Sequence, residues 1–137
     1  MGKVSTGSAM KLRHLTPAGV RPPFRRYHHA VEVAGAERLL FVSGQLGIRP
    51  DGSIPEGAAA QAELAFANID ACLAAAGFAR GQVVRLTVFL TEVDYRLDYM
   101  RARDAWVEDP APASTLLVVK ALALPACKIE IEAVAAG

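Results

Sequence analysis

The sequence predicts an α+β domain in which two helices lie on one face of a mixed sheet. Two segments, residues 57–76 and 94–107, repeat apolar residues at helical spacing. Five short runs, residues 30–34, 39–45, 82–90, 116–119 and 128–133, are rich in apolar and β-branched residues and read as strands. Their order along the chain is β-β-α-β-α-β-β, an arrangement that packs helices against a sheet. A length of 137 residues suits one domain with one core.

Residues 1–11 are rich in Gly, Ser and Thr and are expected to form a flexible tail or an expression remnant, with Met10 as an alternative start and the domain running over 12–137. Lys11-Leu12-Arg13-His14-Leu15 can add a small strand at the front. Pro and Gly density over 16–24 marks a loop. Residues 30–34 alternate like a strand, 35–38 are turn-like, and 39–45 form an apolar strand ending in Ser43-Gly44-Gln45, so the two strands are expected to pair as a hairpin. Arg49-Pro50-Asp51-Gly52 is a turn signal.

In the first helix Ala62, Ala65, Phe66, Ile69, Cys72, Leu73 and Ala76 share a face, and Gly77 stands where a terminating glycine belongs. In the second, Tyr95, Tyr99, Ala102 and Trp106 share a face, Asp94 is the expected N-cap, and Arg101 and Arg103 read as a solvated surface. Pro110 and Pro112 end that helix. The last two strands flank Leu124-Pro125-Ala126 and read as a pair joined by a turn.

Hydrophobic residues make up 53% of the chain and the mean hydropathy is +0.25, high for a small soluble monomer. No run has transmembrane length without interruption. The strands are apolar on both sides, as in Leu39-Leu40-Phe41-Val42 and Leu116-Leu117-Val118-Val119. Helices can cover one side, and a neighbouring subunit is the simplest cover for the other, so a homo-oligomer is expected. The net charge of +1, from 15 basic and 14 acidic residues, argues against a general nucleic-acid or membrane-surface binder. Two cysteines, Cys72 and Cys127, lack the spacing of a disulfide framework or zinc site. They read as reduced core thiols, and with no secretory apolar segment at the N-terminus a cytoplasmic location is expected.

The residues with chemical promise are concentrated near the C-terminus. Glu130 and Glu132 alternate with Ile129 and Ile131, so both carboxylates project from one strand face. Either is a candidate acid, base or water-holder. Ser43, at a strand end with no helix following, suits a backbone-plus-hydroxyl contact rather than a nucleophile elbow. His28 and His29 are adjacent, so a regular strand would point their rings to opposite sides and away from any common metal ion. No metal motif, phosphate loop or C-x-x-C is present.

Tyr27, Phe41-Val42-Ser43-Gly44-Gln45, Pro50-Asp51-Gly52, Gln61, Asn68-Ile69, Pro112-Ala113 and Ile129-Glu130-Ile131-Glu132-Ala133, taken in this order, resemble the YjgF/RidA family, the reactive-intermediate deaminases formerly called L-PSP endoribonucleases. The likeness spans about residues 12–136. It implies a chorismate-mutase-like fold, a homotrimer and small-molecule clefts between subunits. No cofactor, metal or membrane partner is expected, and no nucleic-acid partner given the near-neutral charge. In active family members an arginine in a P-A-R-[ST] run grips the substrate carboxylate. A glutamate of the last strand holds the water that attacks an imine carbon, and a tyrosine, the serine of S-G-Q and a helix asparagine line the cleft. Carried onto this chain, Glu130 is the catalytic candidate, and Tyr27, Ser43, Gly44, Met100, Ser114 and Thr115 are substrate-binding candidates. Glu132 becomes the supporting carboxylate.

Two of these positions depart from the family pattern. Ser114 stands at the arginine position and Met100 at the asparagine position. Serine cannot reproduce a charged, two-pronged grip. Three readings follow: Arg25, Arg26 or Arg49 replaces the clamp; the substrate lacks a carboxylate and meets Ser114 and Thr115 as donors; or the cleft binds without turnover. The expected function is a deaminase-like hydrolase of small enamines or imines, with a non-catalytic metabolite-binding or regulatory trimer as the alternative. Ser114 is expected to lie across the cleft from Glu130.

Overall fold

The computed structural model describes residues 10–137. The expected tail therefore lies, up to residue 9, outside the described residues, and the first strand begins at Lys11, one residue before the expected domain boundary. The chain runs β1 (Lys11–Leu15), β2 (Ala30–Ala34), β3 (Leu39–Leu46), α1 (Ala58–Ala76), β4 (Val83–Leu90), α2 (Arg96–Trp106), β5 (Ala113–Val118) and β6 (Ile129–Ala136). Both helices and all the expected strands are present, and two helices pack on a mixed sheet as the sequence predicts.

Strand partners differ from the local expectation. β2 pairs antiparallel with β1 in a two-stranded sheet, not with β3. The linker explains this: the Glu37 and Arg38 N–H groups donate to Gly137 O, and Gly137 N–H donates to Arg38 O, so the start of β3 is committed to the C-terminus. The main sheet has the order β3-β6-β4-β5. β5 and β6 are therefore not a hairpin: β4 lies between them, parallel to β5 and antiparallel to β6. A parallel β4–β5 pair needs a crossover, and α2 supplies it.

Alanine-rich α1 forms on its own propensity and buries Ala62, Ala65, Phe66, Ile69 and Leu73. Gly77, at φ 75°, ends it, and Phe78 N–H donates to Leu73 O at 2.8 Å. Asp94 does not cap α2. It lies inside a 3-10 turn, Val93–Tyr95, that leads into the helix, and Tyr95 occupies the cap position without a side-chain bond. Tyr99 and Trp106 are buried as expected, and Phe66 of α1 stacks on both, at 6.0 and 4.8 Å between ring centroids. Arg103 breaks the expectation of a solvated face: it is only 3% exposed.

Period-two alternation in β6 separates the two sides of the sheet. Ile129, Ile131, Ala133 and Ala135 are buried beneath the helices, while Glu130, Glu132 and Val134 are half-buried on the other side. Phe41 beside Val134, and Leu117 in the row of Phe89 and Glu130, share that second side and are 70% and 45% exposed. This chain leaves an apolar sheet face uncovered, the situation that its two-sided strands anticipate. Both cysteines are free, Cys127 buried and Cys72 half-buried.

Candidate functional site

Glu130 sits near the start of β6, and the residues before it fix that start. Gln61, fully buried in α1, accepts Lys128 N–H at 2.8 Å and donates to Pro55 O and Ala126 O at 2.8 and 3.0 Å. One amide side chain thus satisfies three backbone groups at the point where the chain enters the strand. Glu130 pairs with Leu46 of β3, and just before it β3 breaks register between Val42 and Gln45, which places Ser43-Gly44 at a bulge opposite Glu132. The Glu130 side chain lies directly against Gly44 there. Lys128 does not neutralise Glu130. Its Nζ donates to Glu56 O at 2.6 Å and lies over the Tyr95 ring, and Glu130 makes no ion pair among the described residues. Burial, and secondarily the Glu130 charge, push the Cys127 thiol up from its ordinary value, so it stays protonated at neutral pH.

Glu132 occupies the next row on the same face, level with Thr87 and Thr115. Arg85 Nη2 donates to Thr115 Oγ1 at 3.0 Å. Thr115 is thereby placed on the open face of the sheet, in the row of Glu132.

Tyr27, Met100 and Ser114 gather elsewhere. Together with Leu116, Leu97 and Phe24 they line a cleft of about 560 Å³ between β5, α2 and the loop before β2. Ser114 is level with Leu86, which is fully buried under the helices, whereas Glu130 is level with Phe89, three residues further along β4. Alternation puts Ser114 and Glu130 on opposite sides of the sheet. The expected face-to-face arrangement does not exist within one protomer. Tyr27, Met100 and Ser114 form one group; Gly44 and Glu130 form a second; Ser43, which lines a hollow with Glu132, Arg85 and Thr87, and Thr115 belong with the second face.

Of the arginines expected as replacements for the clamp, only Arg25 lines the cleft, and its Nη2 donates to Asp104 Oδ2 at 3.1 Å. Arg26 is held by Asp104 O, Val107 O and the Asp109 carboxylate, and Arg49 by Ser53 in its own turn. Sequence reasoning missed Arg96 and Arg103, which also line the cleft. A signal for Arg103 was present: it is four residues after Tyr99 and three before Trp106, inside the buried stripe of α2. Its guanidinium lies 5.9 Å from the Tyr27 ring centroid and 5.6 Å from that of Tyr99. Burial pushes the Tyr99 phenol up from its ordinary value, with the Arg103 charge and the polar groups of Ser114 and Arg103 pulling the other way.

The two histidines turn to different partners. His28 Nδ1 shares a hydrogen bond with Ala111 O at 2.6 Å, and His29 Nε2 with Arg21 O. Among the described residues no group of His, Cys, Asp and Glu side chains is arranged to hold a metal ion, and no helix is long and apolar enough to cross a membrane.

Comparison with known proteins agrees with this layout. The family described as "Endoribonuclease L-PSP" matches residues 19–137. A "RutC family protein" of Aquifex aeolicus is 37% identical over 116 residues, covering 82% of this chain and 90% of its own. An Escherichia coli protein named "Putative reactive intermediate deaminase TdcF" is 34% identical over 100 residues, covering 71% of this chain and 78% of its own. The crystal structure of YyfB, a Rid-family protein of Yersinia pestis, superposes with a TM-score of 0.83 at 31% identity, over 92% of this chain and 98% of that one. With the family pattern matched from the loop before β2 to the last residue of the chain, this protein belongs to the endoribonuclease L-PSP family, whose structures include the Rid and YjgF proteins.

Proposed function

We propose that the protein is a deaminase-like hydrolase of small reactive enamines or imines, working in clefts where two protomers meet. The observation that carries this reading is the Glu130 carboxylate. It is held against Gly44 at a bulge beside Ser43 and is not neutralised by Lys128 or any other cation among the described residues. An unpaired carboxylate on a rigid strand can take a proton from a water molecule as the water's oxygen adds to an imine carbon. The same carboxyl can return the proton to nitrogen. The carbinolamine hydroxyl then gives its proton, through the carboxylate, to the amino nitrogen, and the C–N bond breaks to release ammonia and leave a carbonyl. The name of the TdcF relative supports the same reaction class.

Glu130 and the Tyr27 cleft lie on opposite sides of the sheet, so one protomer cannot present both to one ligand. A homotrimer in which the Glu130 face of each protomer abuts the Tyr27 cleft of the next would join them. The exposed Phe41 and Leu117 on the Glu130 face are the apolar surface such a contact would bury. The test is ammonia release from imines generated in solution, 2-aminoacrylate among them. Release above the spontaneous rate is expected from the intact protein, with a loss of about 10²–10⁴-fold in Glu130→Gln. A rate equal to the spontaneous one for every imine tried would refute the reading.

Ser114 supports a second reading, because a serine stands where active family members carry their carboxylate-gripping arginine. In that case the cleft binds a metabolite without converting it. A compound that raises the melting temperature and is recovered unchanged would favour it.

A further inference from the structure

Three arginine side chains line the Tyr27 cleft, Arg25, Arg96 and Arg103, and Asp104 is the one carboxylate paired with any of them among the described residues. Arg103 is the most deeply placed, its side chain 4% exposed. Its Nε and Nη2 both donate to Asp104 Oδ1, at 3.3 and 3.2 Å. Asp104 is shared, because its Oδ2 already accepts from Arg25. Arg103 Nη1 has no carboxylate or carbonyl partner among the described residues, and the Tyr99 phenol is the polar group beside the guanidinium.

A buried guanidinium is costly unless its charge is paired and its N–H groups are bonded. Arg103 has a share of one carboxylate, on the Nε–Nη2 edge of its fork. The Nη1–Nη2 edge is left for a second one, and a planar fork grips a carboxylate through two parallel bonds. The Tyr27 and Tyr99 rings both lie within about 6 Å of the guanidinium, at 5.9 and 5.6 Å from their centroids. Tyr99 Oη, fully buried with Arg103 and Ser114 as its polar neighbours, is the one buried side-chain polar atom lacking a hydrogen bond among the described residues. The cationic surplus of the cleft stands beside an apolar lining of Leu97, Met100 and Leu116.

We propose that in this chain the anion grip has moved from strand β5 to helix α2. Arg103 binds the carboxylate of the ligand, doing what Ser114 cannot, and Met100, Leu97 and Leu116 hold an apolar group of about leucine size on the same ligand. The proposal rests on the cleft being the ligand site, as in the function proposed above, but it does not require turnover. It assigns this chain a carboxylate with a branched apolar side chain as its ligand class.

Binding is measured by thermal shift and calorimetry on the full chain with 4-methyl-2-oxopentanoate, its uncharged amide, and pyruvate as the small acid. The branched acid is expected to bind and stabilise, pyruvate to bind more weakly, and the amide not to bind. Arg103→Gln is expected to weaken the branched acid by about thirtyfold or more, and Arg103→Lys, which keeps the charge and loses the fork, by less. The proposal is overturned if the amide binds as tightly as the acid, if pyruvate equals the branched acid, if the acid does not bind, or if Arg103→Gln binds it like the parent. Should Arg103→Gln fail to fold, the comparison of acid with amide on the parent protein decides alone. Binding of the acid without any ammonia release from imines would sink the deaminase reading and leave this assignment standing. Equal deamination of imines with and without a carboxylate would do the reverse.

Discussion

Glu130 and Gly44 share one space: a methyl group on Gly44 would fall 2.6 Å from both Cδ and Oε2 of Glu130. The carboxylate rests where only a hydrogen can stand opposite it. Gly44→Ala should therefore push the end of a flexible side chain aside at little cost to the fold, under about 1 kcal/mol, while moving the carboxylate far enough to lower ammonia release by about 10²-fold. Gly47 provides the contrast, since a methyl there meets Gln61 Cα and O at 2.6 Å. Backbone cannot swing away, so Gly47→Ala should cost about 1–3 kcal/mol in urea denaturation. Equal melting temperatures for the two variants would contradict this division.

Gln61 is the hinge between α1 and the start of β6. Gln61→Leu removes one donor group and one acceptor and strands Pro55 O, Ala126 O and Lys128 N–H. A loss of about 2–4 kcal/mol in chemical denaturation is expected, more than one surface hydrogen bond would explain. Activity per folded molecule should fall as well, because Glu130 lies two residues beyond Lys128.

His14 gives the fold a weakness on the acid side. Partial burial, and then the neighbouring His28 at 5.1 Å between ring centroids, lower its pKa from the ordinary 6.5. The folded state holds this imidazole less basic than the unfolded chain does, so the unfolded state takes up more protons as the pH drops below about 6.5. The stability His14 contributes is whole above that value and is lost as the pH falls through it toward the lowered folded-state pKa. His14→Gln should flatten the pH dependence of the melting temperature between pH 7 and 5, about the range in which an imidazole titrates. An unchanged slope would remove His14 from the account.

Phe41 is 70% exposed on the sheet face that this chain leaves bare. Phe41→Glu should prevent that face from burying against another protomer, giving a smaller species in light scattering with unaltered secondary structure by circular dichroism. Catalytic activity should disappear with the assembly even though Phe41 lies outside the Tyr27 cleft.

Local patterns in the chain were legible where short-range physics decides the outcome. The buried stripe of α1, its glycine stop at Gly77 and the two-faced character of β6 all follow from periods of 3.6 and 2. Strand partners were not legible, because β2 and β3 are adjacent in sequence yet β3 is drawn off by hydrogen bonds to Gly137, at the far end of the chain. Arg103 was misread for a different reason. Residue type pointed to solvent, its helical position pointed inward, and the aromatic rings of Tyr27 and Tyr99 allowed the inward position to prevail. The separation of Ser114 from Glu130 depends on β4 lying between β5 and β6, a non-local fact that no window of sequence contains.

That separation has a genetic reading. If each working cleft borrows Glu130 from one chain and the Tyr27 wall from another, a lesion is not confined to the copy that carries it. A chain defective at Glu130 and a chain defective at Arg103, each inactive alone, can assemble together so that one cleft inherits both intact halves. Mixed oligomers of two dead alleles should recover part of the activity, and a chain defective at both Glu130 and Arg103 should depress the output of a healthy one beyond its share of the protein.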